Sequence, residues 1–417
     1  MQERLHSVYV GIDVHRILHK VAVVPASTYL NSPSAWKQVT CFDIGNNADD
    51  FEGLIVAIQS YASHPEDAAI AVDLTGHYSD PVVYYLLNRG YHPLHLLAKA
   101  TKAVRQRLFG EQNKTDTIDA SGLAYLLYLR DTLGLSFGIS TTSPELGSKA
   151  SVLRCLTAQK TQYDKLHRLF TNRIYQYSHT VFPEASSRFP RTMLRILPFY
   201  PTPQDILSSK GLQEIKYLGS KRDIILTLAT STVGVPAENY RQIILDLCEQ
   251  RLDAQVRRDA ILTQMEHEVE AHPYGPILRS FPYLGTVAAA TIIGVVGDIA
   301  KWPDKRKFKK AFGVYGIVTQ SGGAPGRTRK GNEGSRPGRR VLFLVVFNST
   351  RENIADSDIK DYYFRQVARG KPKMKAIFST MGKLAELIYH CLKNGEAYRY
   401  QGRYRRDAIT TSLQTPK

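Results

Sequence analysis

"VYVGIDVHRILHKVAVV" (residues 8–24) holds two short apolar, β-branched runs separated by a few polar residues. Runs of this kind read as strands. A third, "QVTCFDI" (38–44), follows them, which predicts three strands in meander order. "NADDFEGLIVAIQSYA" (47–62) then takes helical spacing behind Asn46 and Asn47 as caps. "AAIAVDL" (68–74) is predicted as a buried strand, "SDPVVYYLLNRG" (79–90) as a helix ending near Gly90, and "HPLHLL" (92–97) as another strand, with a further helix around 100–109. The order β-β-β-α-β-α-β-α up to about residue 130 implies an α/β unit, a mixed sheet carrying helices.

That arrangement puts Asp13 at the end of the first strand and Asp73 at the end of the fourth. Strand ends in such sheets commonly floor a site. "KTDTIDASGLA" (114–124) places Asp116 and Asp119 a helical turn apart at the head of an apolar run, on one face. The four acids are predicted to converge. Two unscreened carboxylates in contact raise each other's pKa at a cost of about 1 kcal/mol or more, and a divalent cation removes that cost. Mg²⁺ favours oxygen ligands, and two such ions can clamp a phosphodiester. Taken singly, each aspartate is equally a strand end or a helix cap; it is their joint placement that supports a metal site. His15 and His19 flank a turn without a partner set at zinc spacing and read as solvated or hydrogen-bonded.

The chain has 417 residues, 43% of them hydrophobic, enough for two or three folded units. Its 55 Lys and Arg against 38 Asp and Glu leave a charge of +17, which favours a polyanionic partner, nucleic acid first. The longest apolar stretch, "TVAAATIIGVVGDIA" (286–300), is broken by Asp298 and too short to span a bilayer. The polar opening "MQERLHS" lacks an apolar signal core, so a cytoplasmic protein is expected. Cys41, Cys155, Cys248 and Cys391 stand far apart and suggest neither a zinc knuckle nor a disulfide framework.

Beyond a polar linker at 136–148, residues 149–182 and 239–272 read as two long amphipathic helices, an antiparallel coiled-coil arm or dimerisation element with an insert at about 183–238. An ordinary helical bundle is the alternative. "LRSFPYLGTVAAATIIGVVGDIAKW" (278–302) has the look of a helix-hairpin-helix, whose turn can offer backbone N–H groups to phosphate. Twelve Lys or Arg lie between Lys301 and Arg340 against Asp304 and Glu333, a nucleic-acid footprint. Within it, "VTQSGGAPGRTRKGNEGSRPGRR" (318–340) sets Ser321 before a run of six glycines and six basic residues. Glycine lets backbone approach phosphate, and arginine grips it bidentately. A serine there can attack phosphorus, although a basic loop that grips nucleic acid without chemistry explains the same composition.

The separated motifs resemble transposases of the IS110/IS1111 group, related to the Piv DNA invertase. "YVGIDVHRILHKVAVV" resembles the opening strand pair with its first acid at Asp13, "VDLTGHY" (72–78) the second acidic segment, and "KTDTIDASGLA" the KTDxxDA signature. "FPYLGTVAAATIIGVVGDIAKWPDKRKFKKAFGVYG" (281–316), "QSGG" (320–323) and "KMKAIFSTMGKLAELIYHCLKNGEAY" (373–398) resemble the later conserved regions. The resemblance implies a RuvC-like, RNase H-type domain at 1–135 with Asp13, Asp73, Asp116 and Asp119 as DEDD ligands of Mg²⁺ or Mn²⁺. It implies a helical arm at 149–275, a mainly α transposase domain at 276–400 and a basic tail at 401–417. Ser321 takes the nucleophile's place, with Gly322 beside it.

The resemblance implies double-stranded donor and target DNA, a noncoding bridge RNA and further copies of the chain, as dimer or tetramer, as partners; no membrane is expected. Lys114, Gly322, Arg327, Arg329, Lys330, Arg336, Arg339 and Arg340 are assigned to nucleic-acid binding. Asp73 stands where the family has Glu, and the family's Lys-x-Gly-Asn-x-x-Leu-Arg pattern is split across "RKGNEGSRPGRRVLF" (329–343). A hydrolytic RuvC-like nuclease or junction resolvase, and an inactive RNA- or DNA-binding protein, are the competing readings.

Overall fold

A computed structural model describes residues 5–31, 39–73, 77–96, 102, 105–106, 110, 113–134, 139–140, 148–208, 218–319, 327–331, 333–351 and 355–402. The chain divides into two compact units, Met1–Ser148 and Lys149–Lys417.

The first unit is built on β1 (Val8–Asp13), which pairs antiparallel with β2 (Leu18–Pro25) and parallel with β4 (Ala68–Asp73). β3 (Cys41–Gly45) extends the sheet beyond β2, and β5 (Leu94–Leu96) with β6 (Ile139–Ser140) extends it beyond β4, in the order β3-β2-β1-β4-β5-β6. This mixed sheet, three strands in meander order followed by two parallel ones, is the arrangement expected of an RNase H-type domain. β1 is buried along its whole length. A strand covered on both faces needs apolar residues on both, which is why it reads as a continuous run.

One face packs Val8, Val10 and Ile12 against α2 (Ala48–Gln59) and α3 (Asp80–Asn88) through Phe51, Leu54, Val82 and Leu86. The other face carries Tyr9, Ala69 and Ala71 beneath α4 (Asp116–Leu133). Small residues let this helix come close. A Cβ added at Gly11 would stand 2.0 Å from the Ala120 carbonyl oxygen and 2.7 Å from the Ala124 nitrogen. The Thr115 side chain caps α4 by accepting from the Ile118 N–H, and Gly134 ends it with φ 64°.

Two elements depart from expectation. A short helix, α1 (Ala26–Asn31), follows β2, held by Tyr29, which is buried among the rings of Tyr9, Tyr125 and Tyr128. β6 lies inside the stretch predicted as linker and pairs with β5. The helix expected around 100–109 falls largely outside the described residues.

In the second unit, α5 (Lys149–Val181) and α10 (Glu238–Glu270) run antiparallel. Lys149 Nζ donates to the Ala271 carbonyl at one end, Arg251 Nε to Thr171 Oγ1 midway, and the rings of Tyr177 and Tyr240 meet 5.8 Å apart at the other. Their apolar contacts gather at the ends rather than along one seam. Leu153, Leu156, Met265 and Val269 enter the main core of the unit, whereas Ile174, Val181, Ile244 and Leu247 enter a smaller one. That smaller core is completed by α6 (Pro183–Arg188), α7 (Pro190–Ile196), α8 (Pro203–Ser208) and α9 (Lys221–Thr230).

The rest follows as α11 (Tyr274–Arg279), α12 (Thr286–Val296), α13 (Lys305–Ala311), the antiparallel pair β7 (Gly316–Thr319) and β8 (Arg327–Lys330), α14 (Arg336–Ser349), α15 (Asp358–Ala368) and α16 (Lys373–Asn394). α11 and α12 follow one another across a short connection, with Gly285 at the N-cap of α12. Among the described residues no helix is long and apolar enough to cross a membrane.

Candidate metal centre and nucleic-acid interface

Asp13 ends β1 and Asp73 ends the neighbouring parallel strand, with Ile12 in register with Val72 just before them. Strand alternation puts both on the face that α4 covers, together with Tyr9, Gly11, Ala69 and Ala71. The close passage of α4 over Gly11 sets its first turn beside these strand ends. Asp116 is the first residue of that helix and Asp119 the fourth.

His15 Nε2 lies 3.2 Å from Asp13 Oδ2 and 3.4 Å from Asp116 Oδ1. One donor atom from each of Asp13, His15 and Asp116 falls within 4.8 Å of the others. His19 steadies this turn from beneath: its buried ring accepts from the His15 backbone N–H through Nδ1, 3.3 Å, and lies 2.9 Å from Asn46 Oδ1 through Nε2. Burial pushes the Asp13 carboxyl up to about 6; His15 opposes this, and Asp119, Asp73 and Asp116 add to it. All four predicted acids therefore act on one electrostatic site.

Asp119 has a second engagement. Both of its oxygens lie near Arg105 Nη1, at 3.0 and 3.3 Å, in a buried pair. Neither Arg105 nor the placement of His15 between two acids was read from the sequence. The β1–β2 turn supplies His15, and only the close passage of α4 reveals its second acid; Arg105 comes from a stretch with no motif to mark it.

The donor set fits a divalent cation. Two carboxylates and an imidazole converge, and an acid pushed up to about 6 by burial, with its acidic neighbours adding to the shift, carries an electrostatic cost that a cation relieves. An imidazole donor suits Mn²⁺ at least as well as Mg²⁺.

The predicted nucleic-acid residues are distributed over both units. Lys114 is exposed beside the start of α4. Arg327, Arg329 and Lys330 form β8, while Ser321 and Gly322 lie outside the described residues, in the connection between β7 and β8. Arg336, Arg339 and Arg340 occupy the first turns of α14 and line a cavity of about 1300 Å³. Arg339 also holds the fold together, donating to the Gly313 carbonyl at 3.1 Å and the Glu333 carbonyl at 3.0 Å.

Residues 10–174 match the DEDD transposase model of IS110 elements, and residues 275–363 match the transposase family of IS116, IS110 and IS902. The chain belongs to the IS110 family of transposases. It is 29% identical over 177 residues to the uncharacterized 43.6 kDa protein of insertion element IS110 from Streptomyces coelicolor, covering 42% of this chain and 43% of that protein. It is 21% identical over 408 residues to the uncharacterized 44.8 kDa protein of insertion element IS116 from Streptomyces clavuligerus, covering 94% of this chain and 96% of that one. The two family matches fall one on the acid site and one on the α11–α14 region, so the IS110-family assignment rests on separated parts of the chain.

Proposed function

We propose that this IS110-family transposase recombines DNA by attack of Ser321 on a phosphodiester, assisted by a divalent cation at the acid site. The observation that carries the proposal is the convergence of Asp13, His15 and Asp116 within 4.8 Å in the unit matched by the DEDD model. Asp13, Asp116 and His15 would hold the ion, with Asp73 and Asp119 adding negative charge. Mg²⁺ or Mn²⁺, when bound, stabilises negative charge on phosphoryl oxygens.

In the step itself the Ser321 Oγ forms a bond to phosphorus, and the bond from phosphorus to one deoxyribose oxygen breaks. The serine proton leaves to solvent or a nearby base, and the departing sugar oxygen gains one. The phosphoserine link conserves the energy of the broken bond, so attack by a sugar hydroxyl on that link reseals DNA without a high-energy cofactor. Basic groups in both units, Lys114 in one and Arg336 and Arg340 in the other, provide phosphate contacts.

By its resemblance, the site is composite, with the carboxylates of one copy facing the serine of another in a dimer or tetramer. The α5–α10 arm is a dimerisation element of that assembly, and a noncoding bridge RNA pairs donor and target. The reaction takes place in the cytoplasm.

Cleavage of end-labelled donor DNA with Mg²⁺ tests the proposal. Ser321→Ala and Asp13→Asn are each expected to abolish it. Cleavage unaffected by Ser321→Ala would establish a hydrolytic nuclease instead, and cleavage by neither wild type nor variants, with retained binding, an inactive nucleic-acid-binding protein.

A further inference from the structure

The cavity beside α14 is lined by eight basic residues and a single acid, Glu386. Glu386 pairs with Lys309 and Lys383, and Arg339 is taken up by backbone carbonyls. Among the described residues no acid pairs with Arg336, Arg340 or Lys375, while Arg306 lies in the field of Asp304. The cleft therefore keeps an uncompensated positive wall. Its volume exceeds the ~300–1,000 Å³ of ordinary small-molecule pockets, so a polymer segment fits it better than a metabolite.

Aromatic residues are interleaved with the charge. Tyr315, Phe343, Tyr362 and Phe378 line the same cleft. Along α14, Arg336, Arg340, Phe343 and Phe347 follow one another at intervals of three or four residues, so they share one face that continues out of the cleft, and Arg351 lies just past the helix end. Phe343 and Phe347 stand nearly parallel, 5.9 Å apart with 14° between their planes, and the Arg351 guanidinium lies 5.7 Å from the Phe347 ring centroid. Phe347 is 45% exposed. Phe343 is partly buried against the main core of the unit and backs the exposed Phe347 ring, which is framed by arginine and fills no core.

Positive groups along a groove with aromatic platforms between them is the chemistry that binds unpaired nucleic acid: cations track the phosphates, and rings stack on base faces. Duplex bases already stack on one another and cannot use such platforms. We infer that this cleft and the α14 face from Arg336 to Phe347, with Arg351 beyond the helix end, form a binding track for unpaired nucleotides, whether of RNA or of an opened DNA strand. The inference rests on the nucleic-acid-binding reading of this unit but not on serine chemistry, because binding is measured without cleavage.

The test uses the full-length chain and fluorescein-labelled oligonucleotides of about 12 units, within the site sizes of single-strand modules: single-stranded RNA, single-stranded DNA of the same sequence, and duplex DNA. Phe347→Ala is expected to weaken binding of an unpaired strand by about 5-fold or more, and Phe343→Ala with Phe347→Ala by about 10- to 100-fold. Duplex binding should change by about twofold or less. Replacing both rings by Tyr should restore the strand affinity. Arg336→Gln with Arg340→Gln should reduce the log–log salt slope by about 1.4, two phosphates' worth.

Tighter binding of RNA than DNA assigns the track to RNA, the reverse assigns it to an opened DNA strand, and either supports the inference. Equal loss on strand and duplex, or no loss in the exposed Phe347→Ala variant, overturns it.

Discussion

Gly11 sets how near α4 comes to the sheet, and so whether the acids meet. With Ala120 backbone oxygen 2.0 Å from where a Cβ would sit, the helix must move to admit one. Gly11→Ala is expected to destabilise the protein by about 1–3 kcal/mol, as overpacking does, and to weaken cation binding along with it. Arg105→Met would leave Asp119 buried without its cation, at a cost of about 3–5 kcal/mol. Adding Asp119→Leu should recover much of that loss; urea melts of the two variants measure both.

Asp13 gives a pH prediction. Its folded carboxyl, near 6, lies above the unfolded value of about 3.9. The fold therefore holds more protons between those values, and metal-free stability falls as pH rises through that window. At neutral pH, without metal, Asp13→Asn should be more stable than wild type by about 1–2 kcal/mol, allowing for solvent screening. Mn²⁺ or Mg²⁺ should raise the Tm of wild type but not of the variant. Because the ion competes with the proton, apparent affinity should drop by about tenfold from about pH 7 to about pH 5.

At the scale of elements, the helices α5 and α10 were readable within a residue or two, because long amphipathic periodicity survives in any tertiary setting. β1 and β4 were readable for a related reason: strands buried on both faces are apolar throughout, while β2 carries its signal in the β-branched run Val21–Val24. α1 and β6 were not. The first has six residues and is held by the burial of Tyr29, the second has two and exists through pairing with β5, so neither carries a periodic signal of its own.

The acids were legible because they end strands and open a helix. His15 was legible only as a turn residue, since its partner Asp116 is a hundred residues away in sequence. One turn holds a local oddity. Tyr283, between α11 and α12, has φ 69°, a backbone conformation that costs a side-chain-bearing residue about 1 kcal/mol. Tyr283→Gly is expected to leave stability unchanged or raise it by up to about 1 kcal/mol in a thermal melt.

The whole molecule divides its chemistry between two units; the DEDD match covers the acid site and runs on into α5, and the second match lies within the second unit. The acids belong to the first unit and the basic cleft to the second, while Ser321 stands in the β7–β8 connection of the second. A net charge of +17 makes binding to any nucleic acid steeply salt-dependent, so salt alone cannot separate a recombinase from a nuclease. The covalent link can. Protein incubated with Mg²⁺, donor and target DNA and any copurifying RNA should be denatured, digested with protease and nuclease, and its peptides weighed for an attached nucleotide. A nucleotide on the peptide containing Ser321, absent when Asp13 is Asn, is the predicted result; nicked DNA with no nucleotide on any peptide would contradict the account.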